Sequence, residues 1–170
     1  LKHEADGSGY MKEGFTHIFY ISYGGGAPRQ VTSENYNHYS FDWMKDSDGF
    51  IFSSNYTEDW EYDFRNSELY KIDKNGSNIH QLTTRNGPDY EPAISPDGKR
   101  IAYLGYDDKV QTYQVNNLYL INTDGGDRTK IDINLDREIS SPRWSSDGKK
   151  IFFMYDNEGN TKIAHPTVDG

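Results

Sequence analysis

A five-residue segment recurs three times along the chain at a spacing close to fifty. It reads Trp43-Met44-Lys45-Asp46-Ser47, then Ile94-Ser95-Pro96-Asp97-Gly98, then Trp144-Ser145-Ser146-Asp147-Gly148, at intervals of 51 and 50 residues. Each copy is followed, at the same two-residue distance, by an apolar strand: Phe50-Ile51-Phe52, Ile101-Ala102-Tyr103 and Ile151-Phe152-Phe153. Upstream, Phe41, Pro92 and Pro142 fall in register. A second element repeats at 51 and 49 residues: Ile18-Phe19-Tyr20-Ile21, Leu69-Tyr70-Lys71-Ile72 and Leu118-Tyr119-Leu120-Ile121. A glycine turn follows each (Gly24-Gly25-Gly26, Asn75-Gly76, Gly125-Gly126), then a short strand at 29–32, 80–83 and 129–132. A fourth copy of the second element starts at Ile163 and reaches the turn at Val168-Asp169-Gly170. A chain repeating at this period is built from stacked copies of one supersecondary unit.

Each unit has its own physical logic. In Ser95-Pro96-Asp97-Gly98, proline presets φ for the first corner of a turn, aspartate tolerates the second, and glycine accepts the left-handed position before the chain re-enters a strand. Lys99 and Arg100 are expected to be exposed, and Ile101 and Tyr103 to share one face. The whole unit reads as inner strand, hairpin, second strand, long loop, third strand, glycine turn and fourth strand. Four antiparallel strands at a period of about 50 make a propeller blade. One such sheet cannot bury both its faces alone, whereas radially stacked blades cover each other. Helical patterning is nearly absent: the best stretch, Asp59 to Arg65, has no apolar stripe and no clear caps. The chain is predicted to be all-β, a partial β-propeller of four-stranded antiparallel blades. The predicted limits are 1–32 for the end of one blade, 33–83 and 84–132 for two full blades, and 133–170 for an incomplete one. At this period 170 residues give about 3.4 blades, short of the about four that close a ring. The expectation is an arc of a larger ring, not closed by this chain.

Composition narrows the partners. The chain carries 18 basic and 27 acidic residues, a net charge of −9, and its longest basic run is a pair. Nucleic-acid binding needs a basic stripe, so no nucleic acid is expected. No run approaches the roughly 20 apolar residues of a helical membrane span, and no membrane partner is expected. There is no cysteine, which removes disulfides, thiolate metal sites and cysteine nucleophiles and suits a reducing, cytoplasmic setting. The histidines His3, His17, His38, His80 and His165 form no spaced pair on one strand face, and the glycine clusters do not precede helices. No metal and no cofactor is expected.

The stretch Ser95-Pro96-Asp97-Gly98-Lys99-Arg100-Ile101-Ala102-Tyr103, with its copies at 145–153 and 45–52, resembles the TolB-like propeller repeat, and residues 117–126 fit that repeat's second half. The Gly-His and Trp-Asp signature of WD repeats is missing. A narrower resemblance rests on Asp6-Gly7-Ser8-Gly9-Tyr10, on residues 13–19 and 53–67, and on Gly105-Tyr106-Asp107-Asp108. These look like the N-terminal propeller of prolyl-oligopeptidase-family serine peptidases, the acylaminoacyl-peptidase branch above all. That resemblance implies a C-terminal α/β-hydrolase domain carrying a Ser-Asp-His triad, and a propeller that admits short peptides and excludes folded proteins. The chain departs from the full pattern: no serine has glycine at both −2 and +2, so the nucleophile elbow is missing. No catalytic residue carries over, and the chain itself is expected to turn over no acyl-peptide.

Two loops carry the best binding candidates. Residues 58–65, rich in carboxylates and aromatics, join the second and third strands of a blade and should share a face with links such as Asn86-Gly87-Pro88-Asp89. The carboxylates could gather the six or more oxygens of Ca²⁺ or hold a peptide N-terminus. Equally, the loop could pack on a neighbouring blade or on the hydrolase domain, with Arg65 paired locally. No spacing here fixes a coordination geometry, so packing is the expected role. One blade on, residues 106–113 form the equivalent loop, while the third copy at 156–160 is short. Long loops in compact domains are often functional. Trp60, Tyr62, Arg65, Tyr106 and Tyr113 are therefore the expected substrate- or partner-contacting residues. Arg29, Arg85 and Arg128 read as exposed turn charges. The function implied is a non-catalytic lid that gates short peptides. The expected partners are the remaining blades, a hydrolase domain and the peptides themselves. The alternative is a TolB-like interaction propeller without chemistry. A propeller sugar lyase would need a metal-binding histidine cluster that the sequence does not offer.

Overall fold

The computed structural model describes His3–Glu4, Gly9–Tyr10 and residues 13–168, and all its regular elements are β-strands. Of the motif at 6–10, Asp6, Gly7 and Ser8 lie outside the described residues, as do Asp169 and Gly170 of the last turn. Strands β1 (His3–Glu4) and β2 (Gly9–Tyr10) pair with each other, as do β3 (Phe19–Tyr20) and β4 (Arg29–Gln30). Two four-stranded sheets follow in chain order: β5 (His38–Trp43), β6 (Gly49–Ser54), β7 (Glu68–Asp73) and β8 (His80–Gln81), then β9 (Asp89–Ile94), β10 (Arg100–Gly105), β11 (Asn117–Asn122) and β12 (Thr129–Ile131). Strands β13 (Ile139–Trp144), β14 (Ile151–Asn157) and β15 (Asn160–Ala164) form a third meander, extended by a bridge from Lys150 to Thr167. Every pairing is antiparallel between neighbours in sequence. This is a partial β-propeller; among the described residues the blades form an arc and no sheet closes it into a ring.

The alternation of side chains in the middle strands explains the stacking. Phe50 and Phe52 of β6 enter a core with Ile18, Val31, Tyr70 and Ile72, between the β3–β4 sheet and the β5–β8 sheet. Ile51, one residue out of phase, enters the next core with Leu69, Ile101, Tyr103 and Tyr119. Ala102 and Leu104 point the other way again, toward Leu118, Ile139, Ile151 and Phe153. Strands β6 and β10 thus each feed two cores, one on either face. A fully buried Phe, Leu or Ile contributes about 1.5–3 kcal/mol, so both faces must be covered for the sheet to persist.

The repeated turns hold their shape through side chains. Asp97 accepts the Ser95 hydroxyl at 2.6 Å and the Lys99 N–H at 3.0 Å, and Asp147 repeats this with Ser145 at 2.6 Å and Lys149 at 3.1 Å. These bonds hold both carboxyls below the usual range. Gly98 (φ 78°) and Gly148 (φ 69°) take the left-handed position, and in the first copy Ser47 takes it at φ 58°. The fourth strands are shorter than the sequence pattern suggests. The Thr32 and Thr83 hydroxyls accept the N–H groups of Ile18 and Leu69, both at 2.9 Å, and so replace the next rung of the ladder.

Blades are also joined near the inner strands. Each of β5, β9 and β13 carries a bulge. Glu91 (φ 49°) and Ser141 (φ 55°) occupy equivalent positions within the last two. Ser40 Oγ accepts the Glu91 N–H at 2.8 Å, and Glu91 Oε2 accepts the Ser141 N–H at 2.6 Å. Asp42 accepts the Ile94 N–H at 2.8 Å, and Trp144 Nε1 donates to the Ala93 carbonyl at 2.8 Å. In β9 and β13 the N–H freed by the bulge is taken up by the preceding blade.

Candidate functional site

The β6–β7 loop, residues 55–67, is a compact series of turns and not a helix. Asn55 Oδ1 accepts the Thr57 N–H at 3.1 Å and its hydroxyl at 2.7 Å, while Asn55 Nδ2 donates to the Asp63 carbonyl at 2.8 Å. The Asp63 N–H returns to the Asp59 carbonyl at 2.9 Å, closing one turn. The β10–β11 loop is organised by Asp108, which accepts the Val110 N–H and Gln114 Nε2, both at 2.7 Å. The two loops share a face with the link between β8 and β9. Asp108 donates its N–H to the Asn86 carbonyl at 2.7 Å, and Arg65 Nη1 lies 4.0 Å from Asp108. Gly87, at φ 141°, passes so close to the next loop that a Cβ would stand 2.1 Å from the Tyr106 carbonyl oxygen.

A cavity of about 610 Å³ opens between the β6–β7 loop and the β8–β9 link, in the size range of small-ligand sites. Asn55, Thr57, Asn66 and Asn86 are among the residues at its walls, with Glu68, Tyr70 and Arg85 also lining it. Glu68 accepts both the Thr83 hydroxyl and the Arg85 N–H, and burial raises its carboxyl above the usual range despite those bonds. The Arg85 side chain is only 3% exposed, so the exposed turn charge expected at this position is in fact a buried cation. It lies 2.9 Å from Asp89 and 3.7 Å from Asp107, and its guanidinium carbon sits 4.0 Å from the Tyr119 ring centroid. Asp89 is fully buried, and burial pushes its carboxyl up to about 7 although Arg85 pulls the other way. Burial alone would lower Arg85, but Asp89 and Tyr119 outweigh it and hold it protonated. Arg29 and Arg128 are exposed.

The structure brings together two of the five expected contact residues. Arg65 and Tyr106 meet around Asp108. Burial, reinforced by Asp108, raises the Tyr106 phenol. Arg65 also lies 5.5 Å from the Phe64 ring centroid. Trp60 turns aside, its ring edge-on to Phe15 at 6.0 Å. Tyr62 and Tyr113 are 86% and 72% exposed. None of the five lines the cavity. The polar floor that sequence reasoning passed over had one signal, a glutamate directly before the buried Leu69, where the preceding repeat has His17. His17 itself sits beside the Thr32 hydroxyl at 3.4 Å, as Glu68 sits beside Thr83.

Comparison with known proteins agrees with this architecture. The family model described as the dipeptidyl peptidase IV N-terminal region matches residues 7–112, more than half of the chain. Dipeptidyl-peptidase 5 of Porphyromonas gingivalis is 25% identical over 130 residues, covering 75% of this chain and 19% of that protein. The chain spans between 19% and 34% of the length of the curated relatives it matches. Among solved structures, a protein described as a putative TolB from Agrobacterium tumefaciens superposes with a TM-score of 0.70 at 22% identity, covering 88% of this chain and 50% of that one. A puromycin-hydrolysing peptidase of Mycobacterium tuberculosis gives a TM-score of 0.65 at 12% identity, over 91% of this chain and 25% of that one. The two structural likenesses concern the fold. They join TolB propellers and peptidase propellers in one architecture, the one that the repeats resemble.

Proposed function

The chain belongs to the dipeptidyl peptidase IV N-terminal region family, and from this we propose that it is the lid segment of a serine peptidase, gating short peptides toward a hydrolase domain outside this sequence. The observation that carries the reading is the asymmetry of the two blade ends. On one end, the turns at 95–98 and 145–148 are short and near-identical. On the other, two successive blades carry long, internally bonded loops that are tied to each other, and the first of them borders a cavity. Elaboration of one face of a rigid scaffold is the usual way a fold acquires a site. Within the family, the acylaminoacyl-peptidase branch is the assignment proposed, on the sequence at 13–19 and 53–67.

The mechanism is steric. Buried blades fix the loop bases, and the loops limit what passes between propeller and hydrolase. Replacing residues 57–65 by a two-residue turn, like Glu158-Gly159 between β14 and β15, tests this in the full-length protein. Cleavage of peptides of about 20 residues should rise relative to dipeptide and tripeptide substrates. An unchanged size preference would contradict gating by this face. A TolB-like interaction propeller is the second reading, favoured by the fold likeness to the Agrobacterium protein; a full-length protein that ends without a hydrolase sheet would decide for it.

A further inference from the structure

The outer face of the β13–β15 sheet repeats a surface that the two preceding sheets bury. Leu104 of β10 stands opposite Leu118 of β11, and both are fully buried, with Ala102, against Ile139, Ile151 and Phe153 of the following blade. One blade earlier, Ile51 and Leu69 meet Ile101 and Tyr103 in the same way. In the third meander Met154 of β14 stands opposite Ile163 of β15, and Phe152 takes the place of Ile51 and Ala102. Here the residues are uncovered: Met154 is 36% and Ile163 72% exposed, and Phe152 is half-buried, edge-on to His165 at 5.2 Å. Contiguous exposed apolar side chains mark an interaction surface.

A polar contact recurs beside it. Ser40, Glu91 and Ser141 hold the bulge position of successive inner strands, at intervals of 51 and 50 residues. The side chain of each of the first two accepts the backbone N–H of the next: Ser40 Oγ that of Glu91 at 2.8 Å, and Glu91 Oε2 that of Ser141 at 2.6 Å. Among the described residues the Ser141 hydroxyl receives no such N–H. We propose that this face docks a further bulged blade of the full-length protein, with Ser141 Oγ accepting the N–H at that blade's bulge and Phe152, Met154 and Ile163 covered by its second strand. The contact continues an interface that the chain already makes twice, so its chemistry is fixed: an inner strand with a freed N–H, then apolar residues two apart, as in Ile101 and Tyr103 or Ile151 and Phe153. A second copy of the chain matches this poorly. Among the described residues β3 pairs with β4 alone, so the first sheet of a copy has no inner strand to present a bulge N–H. The surface of a helical layer matches no better, because N–H groups in a helix interior are bonded within the helix. The docking rests on the arc of blades and not on the peptidase assignment. It applies equally to an interaction propeller, and its test reads contacts and not activity.

The experiment puts p-benzoylphenylalanine in place of Ile163 in the full-length protein and maps the photo-crosslink by mass spectrometry. The crosslink should form within one molecule, 21 to 35 residues beyond position 163, the spacing from Leu118 to Ile139 and to Phe153. Ser141→Ala supplies a second readout that does not disturb the apolar contact. In residue-resolved hydrogen–deuterium exchange of the full-length protein, one amide 50 or 51 residues beyond Ser141 should exchange about fivefold faster, the scale of one neutral hydrogen bond, with an unchanged circular dichroism spectrum. Ser40→Ala, which removes the acceptor of the Glu91 N–H, sets the size of that effect. A crosslink to a second molecule, a crosslink to a segment farther along the chain, or no crosslink would overturn the proposal. So would unchanged exchange at that interval in Ser141→Ala.

Discussion

Ser47 stands where Gly98 and Gly148 stand in the next two repeats, and it adopts the same left-handed backbone, φ 58° against 78° and 69°. For an L-residue with a Cβ this conformation costs roughly 1–2 kcal/mol. Glycine pays no such steric cost but loses more chain entropy on folding, about 0.5–1 kcal/mol. Ser47→Gly should therefore gain about 0.5–1 kcal/mol net, a rise in Tm of about 1–4 °C for a chain of this size. The reciprocal changes set the scale. At Gly148 an added Cβ meets only Pro96 Cδ, at 3.8 Å, so Gly148→Ala carries the backbone cost alone, about 1 kcal/mol. At Gly98 the Cβ would lie 3.0 Å from Lys45 Cβ, so Gly98→Ala adds a packing cost and should be the worse of the two. Urea titrations of the three variants, read by tyrosine and tryptophan fluorescence, give the order Ser47→Gly above wild type, then Gly148→Ala, then Gly98→Ala. A destabilised Ser47→Gly, or a neutral Gly148→Ala, would refute the claim that the three turns share one backbone requirement.

Three further outcomes follow from the same geometry. Glu91→Ala removes the acceptor of the Ser141 N–H and should cost about 1–2 kcal/mol in urea unfolding, whereas Glu91→Gln, which keeps an acceptor, should cost less. Gly87→Ala drives a Cβ into the Tyr106 carbonyl oxygen and should displace the β10–β11 loop, seen as faster amide exchange across 106–116 with the cores unaffected. Asp89 has a folded-state pKa raised by burial to about 7, against about 3.9 unfolded. The stability it contributes is thus full below pH 4 and is lost as pH rises to 7, on the order of 4 kcal/mol for the group by itself. Glu68, raised by the same cause, adds to the fall. Asp89→Asn should flatten the decline in urea midpoint between pH 5 and pH 8, and an unchanged slope would contradict the buried-carboxyl assignment.

The blades were legible in the sequence because two local signals coincide at every repeat: a turn that needs left-handed backbone and an apolar run directly after it. Phe50-Ile51-Phe52 and Ile101-Ala102-Tyr103 announce strands buried on both faces, and each residue goes to the core its parity dictates. Loop positions were legible too, since Asn86 and Asp108 do share one face. Which loop residues meet was not. Arg85 looks like a surface charge beside a threonine pair, and its burial depends on Tyr119, brought over from the next blade. Tyr62 and Tyr113 carry the same aromatic signal as Trp60, but Trp60 is half-buried and packs against Phe15 while the two tyrosines stay exposed. The link from Glu91 to Ser141 is equally silent in the sequence, because a bulge frees its N–H only once the register of β9 and β13 is set.

The proposed role rests on which end of the blades faces the rest of the protein. Hydrogen–deuterium exchange, compared between the full-length protein and this 170-residue chain, reads that orientation directly. Residues 55–67 and 106–116 should be protected in the full-length protein, while the turns at 95–98 and 145–148 exchange alike in both. Protection of those turns instead, or of neither end, would contradict the account.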